Sequence, residues 1–157
     1  MKKLIVLAAA MAASSFSSPV EAQILPPAKR AARVRILEGP RLELATDQLT
    51  ILKWTTDNPG GSDVHYGIVR YGTDPANLSR TAKSPIRLNR GQRRTTFRVR
   101  LDDLEPRTTY YYRVGSEESS GSSDGAQSAI CKFTTPRPGE RIVSVDRRRH
   151  QTPVSLP

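Results

Sequence analysis

The chain has 157 residues, one cysteine, two histidines and a formal net charge of +10. That length suits a single domain with extended ends, and a lone cysteine excludes an internal disulfide framework. Two histidines are too few to surround a pair of catalytic metal ions, whereas the positive balance favours anionic partners such as an acidic glycan or an anionic lipid head group.

Residues 1–22 have the three-part layout of a secretory signal peptide. Lys2 and Lys3 precede an apolar run over 4–13, and small residues end the segment at Val20-Glu21-Ala22. A run of about ten residues is too short to span a bilayer. The expectation is an exported protein, periplasmic or extracellular, with no transmembrane segment in its mature part. Residues 23–38 read as a leader. Pro26 and Pro27 resist regular structure, and Lys29, Arg30, Arg33 and Arg35 make it basic. It is either a flexible tether or docks at 34–37 as an edge strand.

From 39 to 136 short β-prone runs follow one another, separated by turn residues. The first covers 42–45. The second covers 49–56 and puts Thr50, Leu52 and Trp54 on one side. Asn58-Pro59-Gly60-Gly61 is a turn signal. The third run covers 66–71, with Val69 and Tyr71 inward, and 80–84 forms a short connecting strand. The fifth, 95–101, alternates Thr95, Phe97, Val99 and Leu101 with Thr96, Arg98 and Arg100. Such a period of two belongs to a half-buried strand, because successive side chains point to opposite faces. The sixth, 109–116, groups Tyr110, Tyr112 and Val114. Residues 117–125, rich in Ser, Gly and acid, read as a flexible hairpin loop. The seventh run, 129–135, pairs Cys131 with Phe133, so Cys131 reads as a small core filler. No stretch of the mature chain has capped helical periodicity. Seven strands in about one hundred residues predict an all-β fold, an immunoglobulin-like antiparallel β-sandwich. Its core is expected to hold Leu52, Trp54, Val69, Tyr71, Phe97, Val99, Leu101, Leu104, Tyr110, Tyr112, Val114, Cys131 and Phe133. Residues 137–157 form a basic tail, whose run over 141–145 offers an extra strand to a neighbour's sheet.

The most specific stretch is Leu104-Glu105-Pro106-Arg107-Thr108-Thr109-Tyr110. Pro106 restrains a corner between two strands and Leu104 plugs the core. The Tyr110 hydroxyl can turn back onto the corner backbone, which is a tyrosine corner. With Trp54 before it and Val114 after, this pattern resembles a fibronectin type III domain. Trp54, Tyr71, Leu104, Pro106, Thr108, Tyr110, Tyr112, Val114 and Phe133 carry the resemblance. A narrower one lies in Val69-Arg70-Tyr71-Gly72, in 101–115 and in Phe133-Thr134-Thr135-Pro136, which is similar to the N-terminal domain of purple acid phosphatases. That resemblance implies an accessory sandwich, with the di-metal phosphatase site in a separate C-terminal domain. Asp146 stands where the first metal ligand of that domain would be, but the flanking glycines are absent and eleven residues follow it. The expectation is therefore no enzyme, with no catalytic residue, metal or cofactor in this chain.

Eight basic residues fall within 80–100 with no Asp or Glu among them: Arg80, Lys83, Arg87, Arg90, Arg93, Arg94, Arg98 and Arg100. If the fifth strand pairs with the second, Lys53 shares an outward face with Arg98 and Arg100. Lys53, Arg93, Arg94, Arg98 and Arg100 then form a candidate anion-binding patch, since Arg grips acidic groups in a planar fork. The alternative reading is a solvated face that guards the sheet against edge pairing. Tyr111 is expected to face outward. His65 reads as a surface or loop residue, and His150 belongs to the tail. No recognition helix, zinc finger or stacking platform appears, so specific nucleic-acid binding is not expected. These features together predict an exported non-catalytic binding or adhesion module, with an acidic glycan, an anionic lipid head group or an envelope protein as partner. The alternatives are a structural or assembly subunit of an envelope or extracellular complex, and an accessory domain like that of the purple acid phosphatases.

Overall fold

A computed structural model describes residues 29–144. The signal-peptide segment, Asp146 and His150 lie outside the described residues. Nine strands follow one another with no helix between them: β1 (Ile36–Thr46), β2 (Thr50–Asp57), β3 (Val64–Gly72), β4 (Arg80–Arg87), β5 (Arg94–Leu101), β6 (Thr109–Glu118), β7 (Ser123–Gln127), β8 (Cys131–Thr134) and β9 (Arg141–Val143). One sheet has the order β5-β2-β1-β9 and the other β4-β3-β6-β7, with β8 also on β6. All pairs are antiparallel. The fold is an all-β sandwich.

Alternation decides which residues meet between the sheets. On β5, Thr95, Phe97, Val99 and Leu101 are buried while Arg94, Arg98 and Arg100 are exposed. Trp54 stands opposite Phe97 in the β2–β5 ladder, and the rings stack with centroids 5.4 Å apart. On the facing sheet Tyr110 stands opposite Phe133 and stacks at 5.6 Å. Leu52, Val69, Tyr71, Val99, Leu101, Leu104, Tyr112 and Val114 complete the buried cluster, and Cys131 packs against it half-buried. Pairs of this kind contribute about 0.5–1.5 kcal/mol beyond their area.

The corner between β5 and β6 is closed by four side-chain hydrogen bonds. The Glu105 amide donates to the Tyr110 hydroxyl at 2.9 Å. Thr135, which is fully buried, donates from Oγ1 to the Glu105 carbonyl at 2.6 Å and accepts from the Thr108 amide at 2.9 Å. Pro106 accepts from the Thr108 hydroxyl.

Two segments differ from the sequence reading, and the leader follows the docked one of its two readings. Residues 117–125 are not simply a loop, because β7 begins at Ser123 and pairs with β6. β7 and β8 form two halves of one edge, and Ser128 spans the gap by accepting the Val114 amide at 3.1 Å. Polar composition hides such a strand, since only Asp124 and Ala126 of it are buried. The leader is no free tether over its described part. Val34 is buried, the Ala31 amide donates to the Pro59 carbonyl at 2.8 Å, and β1 starts at Ile36. From the predicted tail, β9 pairs with β1 of its own chain, through Leu44 with Val143 and Ala45 with Ile142.

Replacing Tyr110 by Phe should cost about 1–2 kcal/mol in urea denaturation, because the Glu105 amide loses its acceptor while the ring stays packed. A second test uses Tyr112. Burial first, then the adjacent Cys131, raise its phenol above the ordinary value of 10.0. The folded chain therefore keeps a proton that the unfolded chain releases above about pH 10. Its contribution is fully present below the unfolded pKa and is lost as pH rises towards the folded one. Between about pH 9 and about pH 11, Tyr112→Phe should flatten the fall in denaturation midpoint seen for the native chain.

Candidate functional site

Two groupings of chemically capable side chains stand out, one buried and one exposed. The buried one centres on His65. It occupies β3 in phase with Val69 and Tyr71, so the alternation that buries those residues buries the imidazole too, and none of it is exposed. This corrects the expectation of a surface histidine. The third run was read as starting at Tyr66, one residue too late to include it. Extending the period of two backwards from Tyr71 through Val69 and Gly67 would have found it.

His65 Nε2 lies 3.0 Å from the Gly60 carbonyl and Nδ1 lies 2.9 Å from Asp124 Oδ2. A carbonyl only accepts, so Nε2 carries a hydrogen, and Nδ1 shares a proton with the carboxylate. Beside them Glu118 receives Arg30 from the leader at 3.2 Å. His65, Glu118 and Asp124 bring potential ligand atoms within 4.8 Å of one another. That geometry has the donor types of a cation site, yet protein groups already balance it. Arg30 offsets Glu118, and the shared proton offsets Asp124. The cluster ties together the leader, the 58–61 turn, β3, β6 and β7. Gly60 is required there: its φ is +66°, and a Cβ would collide with the Lys29 carbonyl.

The exposed grouping lies on the outer face of the β5-β2-β1 layer. Lys53 stands opposite Arg98 on one side and Arg41 on the other, so three cations cross three strands in a row. Arg94 and Arg100 flank the row along β5. Arg93 falls in the loop ahead of β5, where its carbonyl accepts the Asn58 amide. Carboxylates from other segments enter this face. Glu43, at a bulge in β1, reaches Arg98 at 2.9 Å and Lys53 at 3.6 Å. Glu38 reaches Arg94 at 3.3 Å, and Asp102 reaches Arg100 at 2.7 Å. Exposed pairs of this kind each contribute at most about 1 kcal/mol. Of the other basic residues in 80–100, Arg90 is bound by Asp63 and Lys83 by Glu117. Arg80 lies 4.9 Å over the Tyr71 ring and donates to the carbonyls of Asp102 and Asp103. Tyr111 is half-buried on the outer side of β6.

The family model for the N-terminal domain of purple acid phosphatases matches residues 38–135. The chain belongs to the purple acid phosphatase N-terminal domain family. The match contains β2 to β8 entire, and with them the tyrosine corner, His65, Asp124 and the Lys53–Arg98 row. No curated protein matches the chain at a significant level. Solved structures similar to it include the following two. The sensor domain of the anti-sigma factor RsgI4 in Pseudobacteroides cellulosolvens has 17% identity and a TM-score of 0.45, over 72% of this chain and 97% of that one. The fn3 domain of human contactin 1 has 18% identity and a TM-score of 0.42, over 82% of this chain and 97% of that one. No helix of the described residues is long and apolar enough to cross a membrane.

The buried pair makes a stability prediction. Asp124→Ala leaves the buried His65 Nδ1 without a partner and should destabilise the domain by about 3 kcal/mol in urea denaturation. Replacing His65 and Asp124 together by apolar residues should cost less than the two single losses summed, because neither partner is then left buried alone.

Proposed function

We propose that this chain is an exported, non-catalytic β-sandwich module that docks onto an acidic glycan through the outer face of the β5-β2-β1 layer. The observation that supports this reading is the row of Arg41, Lys53 and Arg98, in register on three neighbouring strands. On β1, β2 and β5 the cations Arg41, Lys53, Arg94, Arg98 and Arg100 outnumber the carboxylates Glu38, Glu43 and Asp57. Where Glu43 serves both Lys53 and Arg98, one positive charge remains for an outside anion. A polymer carrying repeated acidic groups meets such a row at several points at once, which raises avidity without a deep pocket. Export rests on the signal-peptide layout of residues 1–22.

The test uses the purified mature protein with heparin as the acidic glycan, dextran as its neutral counterpart, and phosphatidylglycerol vesicles, each at low and high salt. Saturable binding to heparin at low salt is expected, weakened by salt as exposed charges are screened. The triple substitution Lys53→Gln, Arg98→Gln and Arg100→Gln should weaken it by about tenfold, or about 1.4 kcal/mol. No saturable heparin binding at low salt overturns the reading, and binding to vesicles alone replaces the glycan with a lipid surface. The protein recovered from expressing cells should begin at Gln23, whereas a cytosolic product retaining Met1 would contradict export.

A further inference from the structure

The opposite sheet carries a second basic feature of a different kind. Arg70 on β3 stands directly opposite Arg113 on β6. Both occupy the outward phase of their strands, between the buried residues Val69 and Tyr71 and the buried residues Tyr112 and Val114. Like charges at paired positions, with Cβ atoms about 5 Å apart, oppose the pairing of the strands. On the other sheet a carboxylate relieves the equivalent conflict between Lys53 and Arg98. Here the nearby acids are engaged elsewhere: Glu117 by Lys83 and Glu118 by Arg30. Among the described residues, neither Arg70 nor Arg113 has an ion pair.

Arg113 is the more buried of the two. Its Nε is buried and has no acceptor, so a ligand can meet this guanidinium only at its terminal nitrogens. The Arg113 side chain lines a cavity of about 290 Å³ on the outer surface, together with Ile68, Arg70, Gly115, Glu117 and Gln127. The cavity forms where the β6–β7 ladder is irregular between Gly115 and Glu117. Its volume is at the small end of the range for ligand pockets, about 300–1,000 Å³.

The lining narrows the ligand. Two arginines in one lining select an acidic group, and the planar end of a guanidinium matches the two oxygens of a carboxylate. Glu117 in the same wall repels a second negative charge, so a monoanion suits the site better than a doubly charged phosphate. Ile68 offers an apolar contact for the body of the ligand. We propose that the Arg70–Arg113 cavity binds a small monocarboxylate of roughly the size of one sugar acid, with the terminal nitrogens of the two guanidinium groups donating to the carboxylate. This site is separate from the β5-β2-β1 face and holds whether or not that face binds a polymer.

The experiment follows the arginine Nε–H resonances of the uniformly ¹⁵N-labelled mature protein during titration with sodium glucuronate. Glucose serves as the uncharged counterpart, sodium chloride matches ionic strength, and inorganic phosphate tests a second oxyanion. The expected result is a saturable shift of the Arg113 Nε–H with glucuronate in the millimolar range and none with glucose or chloride. Arg70→Gln and Arg113→Gln should each weaken binding by about tenfold, the loss of one charge-assisted contact. The pair Lys53→Gln and Arg98→Gln should leave it unchanged. If Arg113→Gln fails to fold, the native titration and the exposed Arg70→Gln variant decide the matter. Absence of a saturable Arg113 shift in the native protein overturns the site. Undiminished binding in a folded Arg113→Gln variant removes Arg113 from it, and tighter binding of phosphate overturns the monocarboxylate assignment.

Discussion

Between β5 and β6 the chain leaves one sheet and enters the other, and the Tyr110 hydroxyl holds that crossing by accepting the Glu105 amide at 2.9 Å. The same residue stacks its ring on Phe133 and meets Tyr71 edge-on at 6.2 Å. One side chain thereby links the corner backbone to the centre of the second sheet. Thr135 closes the corner from the end of β8, so that end is pinned to the start of β6. Leu104, inside the same corner, is buried in the core cluster that both sheets share. With the corner closed, the outward residues of β5 and β6 have defined neighbours, and every statement about a charged face depends on that register.

Charge on this protein is organised in two ways. On the β5-β2-β1 face, cations are interleaved with acids. Glu43 and Glu38, from distant parts of the sequence, and Asp102, two residues beyond Arg100, divide a positive band into pairs while leaving a surplus. On the β3-β6 face, two arginines are paired across the ladder with no carboxylate between them, above a cavity. The first arrangement suits a diffuse, salt-sensitive surface. The second suits a discrete site, because one acidic group can serve both arginines at once.

The His65 cluster shows how a small disulfide-free sandwich secures an end that its apolar core does not reach. A buried imidazole–carboxylate pair is weak evidence of net stability, yet removal of either partner strands a charge. Each neighbour of His65 belongs to a different segment: Gly60 to a turn, Asp124 to β7, Glu118 to β6 and Arg30 to the leader. The pair thus specifies how these segments sit together, and the leader is part of the folded body from residue 29 onward.

The alternation over 95–101 and 109–116 and the Leu104 to Tyr110 motif were enough to establish strand phase, the core and the family resemblance. They act locally, through the period of two and the steric limits of a corner, so no knowledge of distant partners was needed. Pairing across the sandwich was legible only as far as Lys53 beside Arg98. What tertiary structure alone decided is which acid meets which base. The eight basic residues of 80–100 have no acid in their own segment, yet four of them find one far along the chain, Lys83, Arg90, Arg94 and Arg98, while Arg100 meets its neighbour Asp102. The same holds for His65, whose partner Asp124 lies 59 residues away in a stretch whose polar composition reads as loop. Electrostatic partners are chosen by distance in space, and a strand's sequence carries its own phase but not the identity of the strand that pairs with it.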